Sequence, residues 1–368
     1  MAAVALAGTL ILNFYAVGIG VAISLTPLAG KNFIVGRFRE TALLFQNSIS
    51  LNTLVSLILV ALLLGIFPFL GMIGQPEEVI ALARGYYILV TLSLIPTIIF
   101  LSFKQFLEAL GNTKVAMIIT LSCNLLNVLG NYMFIFGKWG APELGVTGAG
   151  LSTLLSRLMM PIVFYIYTHR SYPYKRFFRF FGWKQLSPRR HFELLRVGFP
   201  IAGQMVLEYS ALTGIAIMMG WVGTVALAAN QVVMSLVSFT FMVSNGIAGA
   251  ATILISHQYG LRNAARIRHY GYAAMQMSVV FMFFFALIFA FFGTQIASVF
   301  TPDRAVVELA GKLFMVVALF ELLDGLQVTA LGALRGITDV NRPMLYSVFS
   351  YWLVCLPVGY LFGFVLDL

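Results

Sequence analysis

Long apolar runs punctuated by short polar turns organise the chain. Ten runs stand out, near Ala2–Leu28, Leu43–Phe69, Tyr86–Leu107, Val115–Phe136, Val146–Tyr167, Phe199–Trp221, Val225–Ile255, Tyr272–Phe300, Val306–Leu334 and Met344–Leu366. Each exceeds about 20 residues, the length at which a helix rising about 1.5 Å per residue crosses a hydrocarbon core roughly 30 Å thick. In lipid every backbone polar group must be paired within the protein, so only helices or a closed barrel can span it. Barrel strands would be segments of about ten residues alternating in polarity, and these runs are longer and do not alternate. The pattern predicts an all-α polytopic membrane protein with about ten transmembrane helices.

Composition narrows the class. Hydrophobic residues make up 60% of the chain and charged residues 10%, with a mean hydropathy of +0.94, whereas soluble domains carry about 25% charged residues. A water-soluble fold has no place for so much apolar surface. The 33 glycines suit close helix approach in lipid. A net charge of +10 raises nucleic acid as a partner, but the cations fall in alternate loops. Lys31, Arg37, Arg39, Lys114, Arg262, Arg266, Arg268, Arg335 and Arg342 mark one side. That side also holds a long central segment with Arg170, Lys175, Arg176, Arg179, Lys184, Arg189, Arg190 and Arg196. The opposite loops hold Glu77, Glu78, Glu143 and Asp303 with few basic residues. The basic side is therefore the cytoplasmic one, and the surplus marks topology rather than a nucleic-acid site. No cleavable signal pattern is present, and the first span is expected to act as an uncleaved signal. Cys123 and Cys355 are too few and too separate for a disulfide framework or a zinc site. His169, His191, His257 and His269 read as ordinary loop residues. No phosphate-binding loop, metalloprotease, serine-hydrolase or CxxC motif occurs, so neither enzyme chemistry nor a cofactor is expected.

The sequence also repeats itself. Val4-Ala5-Leu6-Ala7 matches Val225-Ala226-Leu227-Ala228, and Leu110-Gly111-Asn112-Thr113-Lys114 resembles Arg335-Gly336-Ile337-Thr338-Asp339. The second copy has a helix before its Val-Ala-Leu-Ala and the first has one after its fifth span. Six helices per half are thus the expected unit, with the first and last absent and the chain a fragment of it. An even number gives both halves one orientation, as in transporters built from parallel repeats. The expected organisation is an N-lobe over residues 1–168, a basic cytoplasmic linker over 169–197 and a C-lobe over 198–368. The linker, rich in Arg, Lys, Pro and aromatics, suits an interfacial connector on anionic lipid better than a partner site.

Ionisable side chains at mid-membrane depth cost at least about 2.5–3.5 kcal/mol each, so each is a candidate functional residue. Glu208 lies about 18 Å along a helix from the basic Arg196, and Asp324 about 16 Å from the basic Arg335, which sets both near the midplane in one half. Arg157 sits about 20 Å from Arg170 in the other half. Two carboxylates facing one dry cavity repel, and desolvation further disfavours their charged forms. At least one is expected to take a proton or to recruit a metal cation such as Na⁺. Pairing with Gln204 or Gln327 is the structural alternative. Glu321, one turn before Asp324, is either a second ligand or a residue nearer the outer water. Asn127 and Asn131, four apart on one face, either line a polar cavity or bond a neighbouring helix, the commoner role. Lys104 and Glu108 form an ordinary i,i+4 ion pair. Pro27, Pro96, Pro161, Pro200, Pro343 and Pro357 are each able to kink a span.

These segments resemble the MATE (multidrug and toxic compound extrusion) family, in particular its NorM-like bacterial branch. The likeness runs along essentially the whole chain, through Val4-Ala5-Leu6-Ala7, Gly74-Gln75-Pro76, Leu110-Gly111-Asn112-Thr113-Lys114 and Leu126-Asn127-Val128-Leu129-Gly130-Asn131-Tyr132. It continues in Gly145-Val146-Thr147-Gly148-Ala149-Gly150, Ala228-Ala229-Asn230-Gln231, Phe320-Glu321-Leu322-Leu323-Asp324-Gly325-Leu326-Gln327 and Gly332-Ala333-Leu334-Arg335-Gly336. The resemblance implies twelve helices in two pseudo-symmetric six-helix lobes, here truncated, and alternating-access exchange of cationic or amphipathic drug-like compounds for Na⁺ or H⁺. It implies a multi-pass protein of the bacterial cytoplasmic (inner) membrane, a monomer, with substrate and lipid as partners. Glu208 and Asp324 look like the second-lobe cation-coupling carboxylates, and Asn127 and Asn131 like first-lobe asparagines. Two departures matter: the family's first-helix aspartate has no counterpart, and Phe320 stands where some relatives carry tyrosine. The rival function is a related flippase for a lipid-linked oligosaccharide or polysaccharide, which calls for cavity cations such as Arg157 and Lys104.

Overall fold

The computed structural model describes residues 2–67 and 77–366; Gly74-Gln75-Pro76 lies outside them. Every regular element among the described residues is helical. In order they are α1 (Ala2–Ile23), α2 (Leu25–Ile34), α3 (Phe38–Ile66), α4 (Glu77–Leu92), α5 (Leu94–Ala109), α6 (Thr113–Phe136), α7 (Gly145–Arg170) and α8 (Tyr172–Phe178). A 3-10 turn at Trp183–Gln185 leads to α9 (Pro188–Val222), α10 (Thr224–Gly260), α11 (Ala264–Phe300), α12 (Arg304–Gly336) and α13 (Asn341–Ser347). The last span continues as π-helix over Val348–Cys355, α14 (Leu356–Tyr360) and π-helix over Leu361–Val365. Among the described residues nine segments are long and apolar enough to cross a membrane, with α1–α2, α4–α5 and Asn341–Val365 each counting as one. The tenth expected span is α12, a 33-residue helix that carries Glu308, Lys312, Glu321, Asp324 and Arg335.

Local chemistry explains the breaks. Pro27 and Pro96 cannot donate to the carbonyls of Ile23 and Leu92, the residues at which α1 and α4 end. Ser24 and Ser93 fill the two gaps, donating to Val21 O at 2.7 Å and Val90 O at 2.6 Å. Pro161 and Pro200 are carried inside α7 and α9, which run on through them.

The chain forms two compact units, Met1–Val206 and Leu207–Leu368. In the first, α3 packs on α2 and α5, and α7 packs on α4, α5 and α6. Near the basic turns Phe45 stacks on Phe106 at 4.0 Å, with Phe103 edge-on at 5.2 Å. In the second, α10, α11 and α12 pack on one another, around Val233, Phe289 and Phe314. Polar residues are inside: Asn47, Ser48, Asn52, Ser56 and Ser102 are buried. Large apolar residues such as Leu121, Val128, Phe291 and Leu319 are outside, the last 77% exposed. Water would reverse that distribution; lipid does not.

The repeat appears in the turns. Gly36 and Arg37 donate to Phe33 O and Asn32 O, and Arg262 and Asn263 donate likewise to Tyr259 O and Gln258 O. Gly111 and Asn112 donate to Glu108 O and Leu107 O, and Thr338 and Asp339 to Arg335 O and Leu334 O. All four are Schellman endings, which need a left-handed residue, supplied by Gly36, Arg262, Gly111 and Thr338. Gly111 therefore corresponds to Thr338, and the match to Gly336 drawn from sequence is two residues out of register. A shared glycine suggested that match, but the position that demands left-handed backbone carries threonine in the second copy.

Within the basic segment 169–197, α8 sets Tyr174 and Phe177 into the first unit, and Asn47 Oδ1 accepts from Ser187 N at 2.8 Å. Two further expectations change. The helix expected from Phe199 starts at Pro188, because proline is suited to a first turn, where its missing N–H has no helical partner to lose. The four histidines lie in helices rather than loops; His169, in the last turn of α7, stacks on Tyr165 at 5.5 Å.

Candidate functional site

In the second unit α12 lies against both α10 and α11, and small residues set how closely. A Cβ on Gly332 would meet Ala248 O at 2.4 Å, and one on Gly325 would meet Met282 Cγ at 2.5 Å. Thr252 Oγ1 donates across the first crossing to Gly332 O at 2.7 Å. One side of α12 is thus committed to protein, and the acids share that side. Glu321 is 0% exposed and Asp324 6% exposed. Glu321 Oε1 lies 3.1 Å from Thr240 Oγ1 on α10, while Oε2 is buried without a hydrogen-bond partner. Glu321 is therefore in the protein interior, not near outer water.

Glu208 reaches the same neighbourhood from α9, half-buried and close enough to interact with both Asp324 and Arg335. The two acids that sequence placed at one depth are brought together. The last span completes the group. Its Tyr351 hydroxyl accepts from Gln327 Nε2 at 2.9 Å and lies within hydrogen-bonding reach of Glu208. Gln327 is thus engaged with Tyr351 rather than with either acid. Trp352 Nε1 donates to Leu207 O at 3.4 Å, fixing the span beside Glu208. Tyr351 stands on a π-helical stretch, an irregularity frequent where a side chain must be re-aimed at a functional site.

The remaining candidates belong to the first unit. Asn127 Nδ2 donates to Ser152 Oγ on α7 at 3.3 Å, Ser152 Oγ donates to Asn127 O at 2.8 Å, and Asn131 Nδ2 donates to Asn127 Oδ1 at 3.3 Å. That is the helix-bonding alternative. Arg157 Nη1 donates to Ser93 Oγ at 2.8 Å, at the break between α4 and α5, and its guanidinium lies 6.0 Å from the Tyr15 ring. Lys104 and Glu108 pair at 3.5 Å.

Tyr351, Thr240 and Arg335 escaped the sequence reading. Arg335 reads in sequence only as a topology charge, though it closes the helix that carries Glu308, Glu321 and Asp324. Tyr351 had little signal, being one of several hydroxyls in the last span beside Tyr346, Ser347, Ser350 and Tyr360. Thr240 had none, because a lone threonine in a span usually bonds its own helix. Among the described residues no three His, Cys, Asp or Glu side chains gather closely enough to hold one metal ion. A cation here would draw on the Glu208 and Asp324 carboxylates with neutral oxygens from Tyr351 and Gln327. When ionised, the two acids exceed Arg335 by one negative charge, which a single monovalent cation offsets.

Known proteins resemble this chain along most of its length. The MatE family model matches residues 1–133 and 200–361. A probable multidrug resistance protein NorM of Bacillus licheniformis is 29% identical over 364 residues, covering 99% of this chain and 80% of that protein. Its counterpart in Pseudomonas putida is 33% identical over 347 residues, covering 92% and 73%. Among solved structures, the eukaryotic MATE transporter AtDTX14 superposes with a TM-score of 0.89 at 18% identity, over 100% of this chain and 81% of that one. The bent form of the Vibrio cholerae MATE transporter VcmN gives 0.81 at 18% identity, over 95% and 78%. At these identities the structures share the fold.

Proposed function

The chain belongs to the MatE family, and on that premise we propose that it is a secondary active multidrug efflux transporter of the bacterial cytoplasmic membrane. It acts as a monomer and exchanges cationic or amphipathic organic compounds for Na⁺ or H⁺ by alternating access. Glu208 and Asp324 bind the coupling cation. One observation carries this reading: two acids from separate helices meet inside an apolar bundle, with Asp324 only 6% exposed and a single arginine nearby. Such a group is costly in lipid and is retained where ions are handled. Exchange then follows if the cation binds one conformational state better and the drug the other, since only differential affinity shifts an equilibrium. Asn127, Asn131 and Arg157 keep helix-to-helix roles in this reading.

A lipid-linked oligosaccharide flippase asks for free cations to meet phosphate, and Arg157 and Lys104 already have partners. The test is export of a fluorescent organic cation from proteoliposomes under separate Na⁺ and proton gradients. One gradient is expected to drive export, and Glu208→Gln with Asp324→Asn to abolish it while leaving the elution profile of the purified protein unchanged. Undiminished gradient-driven export by the double variant overturns the assignment.

A further inference from the structure

The contact between α10 and α12 contains a shortage of protons. Thr240 Oγ1 lies 2.9 Å from Val237 O and 3.1 Å from Glu321 Oε1. Both are acceptors, and a threonine hydroxyl has one proton to give. If it goes to Glu321, an ionised carboxylate is left wholly buried with one donor and a bare second oxygen. If it goes to Val237, the contact with Glu321 has no proton at all unless the carboxyl supplies one. A single added proton resolves both: Glu321 donates O–H to Thr240, Thr240 donates to Val237 O, and Oε2 becomes the carbonyl oxygen of a neutral acid. An unpartnered neutral carbonyl is far less costly to bury than an unpartnered charge.

Among the described residues no cation acts on Glu321. The charged group near Glu321 is Asp324, of the same sign. On the packed helices, α10 has no ionisable side chain before His257 and α11 none after Tyr272. We propose that Glu321 with Thr240 forms a proton-binding site, separate from the Glu208–Asp324 pair, in which Glu321 is a neutral acid that latches α12 to α10.

Difference infrared spectroscopy of the full chain in lipid nanodiscs at neutral pH tests this without any transport measurement, so it stands apart from the proposed exchange function. A protonated-carboxyl C=O band is expected, lost in Glu321→Gln and retained in Asp324→Asn. Thr240→Val, which keeps shape and removes the hydroxyl, is expected to shift that band to higher frequency and to serve alone if Glu321→Gln fails to fold. Loss of an ionised-carboxylate band in Glu321→Gln, a band unmoved by Thr240→Val, or a band that vanishes when Na⁺ is added would each overturn the proposal.

Discussion

Replacing Gly332 by alanine probes the crossing on which the acidic side of α12 depends. The new methyl carbon would stand 2.4 Å from Ala248 O, 2.7 Å from its Cα and 2.8 Å from its carbonyl carbon. All three are backbone atoms of a helix, so no side-chain rotation relieves the clash. Ordinary contact begins near 3.4 Å, so the helices must part by about 1 Å. Overpacking of this kind costs about 1–3 kcal/mol. The same movement stretches the 2.7 Å bond from Thr252 to Gly332 O and the 3.1 Å contact between Thr240 and Glu321, adding about 1 kcal/mol. A total of about 2–4 kcal/mol lowers the apparent melting temperature by roughly 4–16 °C, at about 2–4 °C per kcal/mol.

The matched control is Gly249→Ala on α10, where an added Cβ meets nothing within 4 Å. Alanine gains helix propensity there, up to about 1 kcal/mol, so this variant is expected to melt no lower than the parent. The assay is fluorescence-detected size-exclusion chromatography after heating of detergent-solubilised protein, at one heating time because such unfolding is often irreversible. Equal melting of the two variants, or a Gly332→Ala protein as stable as the parent, would refute the close crossing.

Thr338 holds φ at +63°, an uncommon conformation for a β-branched residue. Glycine there relieves roughly 1–2 kcal/mol of left-handed strain and gives back about 0.5–1 kcal/mol of chain entropy, so Thr338→Gly is expected to raise the melting temperature slightly; a fall would contradict the turn. Arg157→Met removes the charged donor to Ser93 at the α4–α5 break and is expected to cost about 1.5–3 kcal/mol in the same melting assay. Arg39, Arg179 and Lys184 border one hollow together with Trp183. At about 1 kcal/mol per cation near an anionic surface, changing all three to glutamine is expected to strip bound anionic lipid from the protein in native mass spectrometry while zwitterionic lipid stays unchanged.

The spans were legible because lipid imposes one crude rule, an apolar length; among the described residues nine of the ten runs obey it, and α12 departs through the charges it carries. Positions within the spans were legible only where charge made them costly: Glu208 and Asp324 announce themselves against leucine and phenylalanine. Their partners did not. Thr240 looks like any threonine in a span, and its importance comes from facing Glu321 across two helices. The turn register failed for a related reason. Gly111 and Thr338 share a backbone conformation but not a residue type, so similarity of letters pointed at Gly336 instead. The start of α9 was misplaced because a basic, aromatic stretch suggests a connector, while Asn47 and the Phe45 cluster that hold that stretch in place lie more than a hundred residues away in sequence.

The acids of α12 and its glycines answer to the same constraint. Met315, Val316, Leu319, Phe320 and Leu323 are exposed, while Ala318, Glu321, Asp324, Gly325, Val328 and Gly332 are buried. The buried set steps by three, four and one, so it forms one face of a helix that completes a turn in about 3.6 residues. An apolar bundle has little hydrophobic drive to hold its helices together, so association depends on packing and hydrogen bonds. The glycines permit the approach, and the approach is what brings Thr240 within 3.1 Å of Glu321. Were α12 a single ångström further out, Glu321 would lose its contact with Thr240. Its position so deep in the bundle would then be hard to sustain, which is why close packing and a buried proton are expected to be lost together in Gly332→Ala.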